Sequence, residues 1–414
     1  MATSSSLWEH CCKTHKPSSI AIKLTAKGER SVRQKHPWIF DQSIIKTNKN
    51  ATSGDVGIVF SHKKNKVLGV GLMDPSSPIT LKMLHFGGGA KIDAQFFNAK
   101  LAEAIGRRKS LKSVTNAMRL VFGENDALPG LIVDQYSEVI VIKIYSLMWL
   151  PYVSMIQGCL IEQLSPKAVI LRGNRQVTKS LNLTEDKGVE LTYGKLTHPE
   201  VEFHEYGVRF LAHLIKGHKT GFFLDHRDNR NRVGQMAAGK TVLDVFAYAG
   251  GFGVHALVGG AKAVTSLDIS TQALELAKNN AQLNDYSGKH FTLQGDAFKL
   301  LKSLIAQGKT YDLVVIDPPS FAKSADGISL ALSKYAQLTR LGLELVAKKG
   351  QLVLASCSSR ITMDQFLGVH SQVFKDRGVT HFSLAQTTGH DVDHPIGFEQ
   401  GAYLKTAYYQ DNRS

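Results

Sequence analysis

Hydrophobic and polar residues alternate in two different ways along the chain. In the first 92 residues, short β-prone runs are separated by turn signals, at 20–24, 57–60, 67–72 and 79–84. Short strands at this spacing indicate a small barrel or sandwich. A helical pattern over 96–112 and hairpin-like runs up to residue 145 follow. The pattern therefore predicts a small β domain followed by a segment that mixes a helix with strands.

The second half of the chain shows a different alternation. Continuous apolar runs cover 241–246, 263–269, 291–294, 313–316 and 351–355, and helical patterns between them cover 271–284, 297–306 and 325–347. This alternation is typical of a doubly wound parallel sheet in an α/β fold. Ligands of such sheets bind outside the carboxyl ends of the strands. The residues that follow each apolar run are therefore the candidate site.

The first three predicted strand ends carry groups suited to a nucleoside. The glycine run after the first strand lacks the G-x-G-x-x-G spacing of a pyrophosphate site. A carboxylate at the second strand end can accept hydrogen bonds from ribose hydroxyls, or it can cap a helix. Together these ends favour S-adenosylmethionine over NAD or ATP. The predicted cofactor-binding residues at these ends are Asp244, Phe246, Tyr248, Gly250, Gly251, Asp268, Ile269, Asp296 and Ala297.

The fourth and fifth strand ends carry the candidates for catalysis. The fourth ends in DPPSF, in which two prolines cannot continue a strand ladder and present Asp317 to a planar group with N–H donors. The fifth ends in SCSS, which places the thiol of Cys357 in the same crevice. A lone cysteine is more often an inert buried residue, but the flanking serines make this setting polar.

Composition narrows the class of protein. The net charge is +15, and residues 1–90 hold 13 Lys and Arg against five Asp and Glu, which favours a polyanionic partner. The four cysteines have no disulfide-framework spacing, which favours a reducing compartment. Because no apolar stretch is long enough to span a bilayer, we expect a soluble cytoplasmic protein with no membrane partner. We expect no metal site, because the Cys and His residues between 10 and 15 lie in a tail that offers no further groups to orient metal ligands.

The ordered motifs together resemble the bacterial large-subunit ribosomal RNA methyltransferase I family. Besides the strand ends, the resemblance rests on HPWIF at 36–40, RLVFGENDALPG at 119–130, the run 217–227, and the segments at 394–395 and 399–405. It covers nearly all of the chain from residue 19 onward. It implies a Rossmann-like class I methyltransferase sheet preceded by a small PUA-like β-barrel and a small α+β central domain. S-adenosylmethionine is the implied cofactor and 23S ribosomal RNA the implied partner.

We accordingly predict four segments. They are a flexible N-terminal tail (1–18), a PUA-like RNA-binding domain (19–92), a central α+β domain (93–200) and a methyltransferase domain (201–414). The resemblance adds Thr220, Asp225 and Arg227 to the cofactor-binding residues. The oligomeric state stays open, with a homodimer as one alternative.

The family's reaction is methylation of carbon 5 of a cytosine. It implies Cys357 as the nucleophile that adds to carbon 6, and Asp317 as the group that stabilises charge building on the ring. The residues predicted to contact RNA are Pro318, Pro319, Phe321, Lys219 and Trp38. Trp38 has a second interpretation, because an aromatic residue on a strand is more often part of a core.

Two other functions stay open. One is an RNA methyltransferase that acts on a purine nitrogen, for which Cys357 would be a bystander. The other is a non-catalytic RNA-binding ribosome assembly factor that retains a cofactor pocket.

Overall fold

The computed structural model describes residues 5–217, 219–322 and 325–413. The chain forms two compact units. The N-terminal unit comprises Met1–Phe203, Ala212–Leu224 and Val392–Phe398, and the C-terminal unit comprises His204–Leu211, Asp225–Asp391 and Glu399–Ser414. Within the described residues, no helix combines the length and the apolar character needed to cross a membrane.

The N-terminal unit holds two sheets and the helices that cover them. Its helices are α1 Leu7–Cys12, α2 Ala26–Arg33, α3 Ala94–Arg107, α4 Val153–Leu164 and α5 Arg175–Ser180. Its strands are β1 Ser19–Leu24, β2 Trp38–Ile39, β3 Ile44–Thr47, β4 Val56–Phe60, β5 Val67–Met73, β6 Leu81–Phe86, β7 Ala117–Phe122, β8 Leu131–Tyr136, β9 Val139–Ile144, β10 Ala168–Gly173 and β11 Val189–Gly194.

The first sheet has the strand order β2-β6-β5-β4-β1-β3, and the second has the order β11-β10-β9-β8-β7. Ile20, Ile22 and Val59 are fully buried in the core of the first sheet. The two sheets are joined by buried hydrogen bonds: Ser146 donates to Asp74 at 2.6 Å, and Tyr152 donates to the carbonyl of Gly54 at 2.8 Å. A β domain followed by an α+β segment is therefore confirmed, whereas the predicted boundaries between the four segments stay a prediction.

The prediction of a flexible tail is wrong for residues 7–12, which form helix α1. The hydroxyl of Ser6 caps this helix by accepting from the amide of Glu9 at 3.2 Å. Leu7 and Cys11 lie four positions apart, so they share one helix face, and both are buried in the core of the second sheet. Six residues are too few for a helical period to be read from sequence.

The C-terminal unit is built on one large sheet. A hairpin of β12 Glu200–Glu205 and β13 Val208–His213 precedes this sheet along the chain, and its residues are divided between the two units. The strands of the sheet are β14 Thr241–Val245, β15 Ala263–Asp268, β16 Lys289–Gln294, β17 Tyr311–Ile316, β18 Val346–Ser356, β19 Phe382–Thr388 and β20 Lys405–Asp411. The helices are α6 Arg227–Met236, α7 Gly251–Val258, α8 Thr271–Gln282, α9 Ala297–Ala306, α10 Ile328–Leu345 and α11 Met363–Asp376.

The strand order of the large sheet is β16-β15-β14-β17-β18-β20-β19. Strands β14 to β18 are mutually parallel, and β20 runs antiparallel to both of its neighbours. Leu243, Val314 and Leu352 are fully buried, as expected of strands covered on both faces. The doubly wound sheet is thus confirmed. Its order reverses between β14 and β17, which places the ligand crevice of such folds at these strand ends.

Candidate active site

Asp244 lies at the end of β14 with 1% of its surface exposed. Its Oδ2 accepts a hydrogen bond from the amide of Gly253 at 2.8 Å, whereas its buried Oδ1 has no hydrogen-bond partner in the described part of the chain. Burial raises the pKa of Asp244 to about 7, against the effect of the Gly253 bond, and the charges of Asp317 and Asp268 add to the increase. A buried acceptor without a partner is costly and fits a ligand that donates to it.

The loop between β14 and α7 has an unusual backbone. Phe246, Tyr248 and Gly250 have φ of 64°, 47° and 76°, in the left-handed region. A Cβ at Gly250 would lie 2.8 Å from the Cβ of Ala277 in α8. Strained backbone of this kind persists only where its surroundings hold it, and it is found most often at binding sites. Gly251 is the first residue of α7.

Asp268 braces this loop from the end of β15. Its Oδ2 accepts from the amide of Tyr248 and its Oδ1 from the amide of Ser270, both at 2.9 Å. Ser270, not Asp268, caps helix α8, because its hydroxyl accepts from the amide of Ala273. The neighbouring Ile269 is 68% exposed and offers an apolar surface beside the carboxylate.

The third strand end differs from the first two. Asp296 is exposed and caps helix α9 by accepting from the amide of Lys299 at 3.0 Å. Ala297 is buried at the first position of that helix. The capping bond leaves the second carboxylate oxygen of Asp296 available to a ligand.

The fourth and fifth strand ends meet as predicted. The amide of Asp317 donates to the carbonyl of Val245 at 3.3 Å, so the carboxylate follows directly on the junction of β14 and β17. Pro318 is buried, and its carbonyl accepts from the Sγ of Cys357 at 3.7 Å. Cys357 is partly buried and is not in a disulfide. The structure therefore brings Asp317, Pro318 and Cys357 together.

Pro319 and Phe321 of the DPPSF run have different surroundings. Pro319 is exposed. The ring of Phe321 packs edge-on against Tyr335, with 5.3 Å between ring centroids, and the Nζ of Lys334 lies 4.9 Å from its centroid. Phe321 is partly buried, so part of its surface is open to a ligand.

His226 is a site residue that the sequence did not reveal. It is 4% exposed, and its Nε2 lies 3.5 Å from Oδ1 of Asp317. The Oδ1 of Asn229 accepts hydroxyls from Thr388 and Tyr408, which turns the amide nitrogen of Asn229 toward Nδ1 of His226 at 3.1 Å. Nδ1 must then accept, and Nε2 carries the proton that faces Asp317.

The pKa of His226 is set by opposing effects. Burial lowers it, but the charges of Asp317 and Asp225 outweigh burial and raise it. His226 thus places its Nε2, which makes no hydrogen bond within the described residues, beside the carboxylate of Asp317, where its positive charge would pair with that carboxylate. The signal in the sequence is weak, because His226 lies within the run 217–227 and not at the end of a predicted strand.

Two further residues from the run 217–227 serve the packing of the C-terminal unit. The Oδ2 of Asp225 accepts from the hydroxyl of Tyr403 at 2.6 Å. Arg227 is fully buried, and its Nη2 lies 3.6 Å from Oδ2 of Asp391. Their predicted cofactor roles stay predictions, and His218 of the same run lies outside the described residues.

Three predicted residues belong to the N-terminal unit, whereas the strand ends belong to the C-terminal unit. Thr220 is buried and donates to Asp134 at 2.5 Å. Lys219 is exposed, with its Nζ 5.5 Å from the ring centroid of Phe223. The contacts of Thr220 are those of a packing residue, and its predicted cofactor role stays a prediction.

Trp38 is held within the N-terminal unit. Its Nε1 donates to Glu124 at 2.9 Å, and its ring packs edge-on against Phe398 with 5.0 Å between centroids. The interpretation of Trp38 as a packing residue is therefore supported by its contacts. Elsewhere in the same unit, an open groove on the first sheet is lined with basic residues, which are Arg33, Lys35, Lys63, Lys64 and Lys66.

Comparisons with known proteins agree with this architecture. The family model described as S-adenosylmethionine-dependent methyltransferase matches residues 161–383, and that of the PUA-like domain matches residues 22–86. A solved Streptococcus mutans chain, described as a candidate SAM-dependent methyltransferase, superposes with a TM-score of 0.79 at 22% identity and covers 94% of this chain and 99% of its own. The fold and the strand-end site thus define an S-adenosylmethionine-dependent methyltransferase.

Two curated relatives narrow the family. The ribosomal RNA large subunit methyltransferase of Deinococcus radiodurans is 35% identical over 399 residues, which are 94% of this chain and 97% of the relative. The ribosomal RNA large subunit methyltransferase I of Tolumonas auensis is 36% identical over 396 residues, which are 94% of this chain and 98% of the relative. The chain belongs to the ribosomal RNA large subunit methyltransferase I family.

The cofactor of the family is S-adenosylmethionine, and a solved methyltransferase with the same fold, at a TM-score of 0.79, is in complex with SAH. The strand ends of this chain fit that group. The unpartnered Oδ1 of Asp244 is an acceptor, and Ile269 offers an apolar surface.

Proposed function

We propose that this protein methylates carbon 5 of a cytosine in the 23S RNA of the large ribosomal subunit, with Cys357 as a covalent nucleophile. The relatives named above are large-subunit ribosomal RNA methyltransferases. The observation that carries the proposal is the 3.7 Å contact between the Sγ of Cys357 and the carbonyl of Pro318. This contact puts a thiol next to the Asp317 carboxylate at the crevice where the strand order reverses.

The cofactor-binding residues in this proposal are those at the first three strand ends. Asp244 and Asp268 accept hydrogen bonds from the cofactor, the backbone of Gly250 and Gly251 lies against it, and Asp296 accepts from its amino edge. Bound S-adenosylmethionine supplies a methyl group that is electrophilic because it is attached to a sulfonium.

The chain's own residues make the cytosine reactive. Carbon 5 of cytosine is a poor nucleophile until the thiolate of Cys357 adds to carbon 6, which breaks the aromaticity of the ring and places electron density on carbon 5. Asp317 accepts from the exocyclic amine or a protonated ring nitrogen and so stabilises the ring as charge builds. After methylation, water takes the proton of carbon 5 as a base, the freed electron pair re-forms the double bond between carbons 5 and 6, and the sulfur–carbon bond breaks so that the thiolate is regenerated.

The RNA must present an unstacked cytosine, because carbon 6 is inaccessible within a stacked duplex. The exposed Pro319 and the open side of Phe321 are the surfaces proposed to meet the base. The basic groove of the N-terminal unit attracts the phosphate backbone and adds little sequence information. Lys219 is proposed to contribute a further phosphate contact.

The test is methylation of unmodified 23S RNA by the purified protein, followed by mass spectrometry of the nucleosides. Wild type is expected to form 5-methylcytidine at one position. Cys357→Ser is expected to lose turnover by several orders of magnitude, because a hydroxyl is a far weaker nucleophile than a thiolate. Cys12→Ser is the matched control and retains full activity, because Cys12 is exposed on α1.

The same assay distinguishes the alternatives. If wild type and Cys357→Ser both methylated a purine nitrogen at the same rate, the reaction would be a direct attack of that nitrogen on the methyl group, and the cytosine mechanism would be wrong. Binding of S-adenosylmethionine without incorporation of methyl groups into any RNA would favour an assembly factor.

A further inference from the structure

Lys405 is a buried lysine whose ammonium lies against the loop that follows β18 and carries Cys357. It is 5% exposed and is the first residue of β20, where the strand register pairs it with Ser356 of β18. Its Nζ donates to the carbonyl of Ser358 at 2.7 Å and to the carbonyl of Tyr403 at 2.8 Å. The lysine is therefore anchored to the residue that follows Cys357 by a direct hydrogen bond.

Both of these partners are neutral. Within the described residues, no carboxylate lies within 4.0 Å of the Nζ of Lys405, so this buried charge has no acidic counter-ion. A buried charge without an opposite charge is strongly unfavourable. A nearby anion would reduce that penalty, and the side chain of this loop that can become one is Cys357, whose negative charge acts on the ammonium of Lys405.

We propose that Lys405 is a positioning residue that holds Cys357 as a thiolate, with the ammonium as its counter-ion. The thiol proton leaves to water, and Lys405 keeps its own proton. The inference rests on the proposed function, because a standing thiolate is useful only if Cys357 is the nucleophile. It supplies the cation for thiolate formation that no motif of the sequence identifies.

The electrostatics of Lys405 agree with this arrangement. Burial lowers the pKa of Lys405 to about 8, and negative charge on Cys357 acts in the opposite direction. Interaction between two titrating groups is mutual, so the ammonium favours the thiolate as much as the thiolate favours the ammonium.

Other titratable groups surround the pair and must be distinguished from it. Tyr335 in α10 donates to or accepts from the hydroxyl of Ser356 at 2.8 Å, and burial raises its pKa to about 12, so it stays neutral. Asp317 at the end of β17 is negative and opposes the thiolate. The other titratable groups linked by contacts to Asp317 or to Tyr403, whose carbonyl Lys405 binds, are His226, Asp225, His390 and Tyr403 itself.

The experiment measures the alkylation of Cys357 by iodoacetamide as a function of pH, followed at its own peptide by mass spectrometry. Three full-length variants are compared with wild type. Lys405→Arg keeps the charge, Lys405→Gln keeps a donor for the two carbonyls without charge, and Lys405→Met removes both. A cooperative thermal unfolding transition, like that of wild type, shows that each variant is folded.

We expect wild type to ionise below the value of about 8.5 for a free thiol. Lys405→Gln and Lys405→Met should raise the alkylation midpoint by at least about one pH unit, which is about tenfold less thiolate at neutral pH. Lys405→Arg should restore the lower midpoint. The acid limb of the pH–rate profile for methyl transfer should move upward by the same amount in Lys405→Gln.

An unchanged midpoint in Lys405→Gln would overturn the proposal, and so would a wild-type midpoint at the free-thiol value. The readout needs neither RNA nor turnover. If Cys357→Ser kept its activity while Lys405→Gln shifted the alkylation midpoint, the proposed function would fail and the ion pair would stand.

Discussion

Asp244, Asp268 and Asp317 lie at the ends of β14, β15 and β17, and the charges of Asp268 and Asp317 act on Asp244. The pKa of Asp244 is raised to about 7 by burial first and by Asp317 and Asp268 in addition. An acid whose pKa is higher in the folded than in the unfolded state binds extra protons when folded. Its contribution to the free energy of unfolding is complete at acid pH and is lost as the pH rises from about 4 to about 7.

Asp244→Asn tests this pH dependence, because asparagine has the same shape and never ionises. Without added cofactor, the unfolding temperatures of wild type and variant should be similar at pH 4. The variant should be higher by several degrees at pH 8, while its affinity for S-adenosylmethionine falls. For the unfolding measurement alone, Asp296→Asn is the matched control, since asparagine caps a helix as well as aspartate does. A difference that stayed the same at every pH would contradict the role of ionisation.

Site residues that directly follow a strand could be predicted from the sequence, because the ends of parallel strands lie at the ligand crevice. Cys357 contacts the carbonyl of Pro318, the residue next to Asp317, so the fourth and fifth strand ends meet as predicted. His226 and Lys405 could not be found in this way. Each reaches the site through a contact between elements distant in sequence, and neither lies in the glycine run, DPPSF or SCSS.

At the scale of elements, the loop between β14 and α7 depends on Gly250 for two separate reasons. Its φ is 76°, and a Cβ there would lie 2.8 Å from the Cβ of Ala277. Gly308 has a similar φ of 66°, but a Cβ at that position would meet no atom of the described residues within 4 Å. Comparing alanine substitutions at Gly250 and Gly308 therefore separates the effect of backbone strain on stability from that of steric overlap.

Gly308→Ala should cost about 1 kcal/mol in the free energy of unfolding, from the backbone alone. Gly250→Ala should cost about 1–3 kcal/mol more, because the added methyl group overlaps α8. It should also weaken S-adenosylmethionine binding. Urea unfolding and calorimetric titration with the cofactor measure the two effects. Equal losses of stability in the two variants would show that the close approach of α8 is unimportant.

The sheet was predictable from the sequence where the strands are buried on both faces, since continuous apolar runs mark β14, β15, β17 and β18. Helix α7 was not predicted, because its sequence GFGVHALV has a glycine-rich start and little polar periodicity. Strands β19 and β20 were also missed. β19 is an exposed edge strand, and the place of β20 between β18 and β19 is a tertiary choice that local sequence does not encode.

At the scale of the whole molecule, the net charge of +15 indicates that attraction to the phosphates contributes strongly to RNA binding. Thirteen basic residues against five acidic ones lie in the first 90 residues, and several of them line one groove on the first sheet. Affinity for RNA should therefore fall steeply with salt, because binding releases the counter-ions of the phosphates. For single-stranded RNA, each phosphate contact contributes about 0.7 to the slope of log K against log salt.

The double variant Lys63→Ala/Lys64→Ala tests whether the groove makes these contacts. Both lysines are exposed and line the groove. The variant should bind 23S RNA fragments more weakly, with the slope against salt reduced by about 1.4 if each lysine meets one phosphate. Lys299→Ala/Lys302→Ala removes the same charge from α9 and is the matched control. Because net charge alone would change both double variants equally, equal slopes measured by filter binding would assign the attraction to the molecule's overall charge and not to the groove.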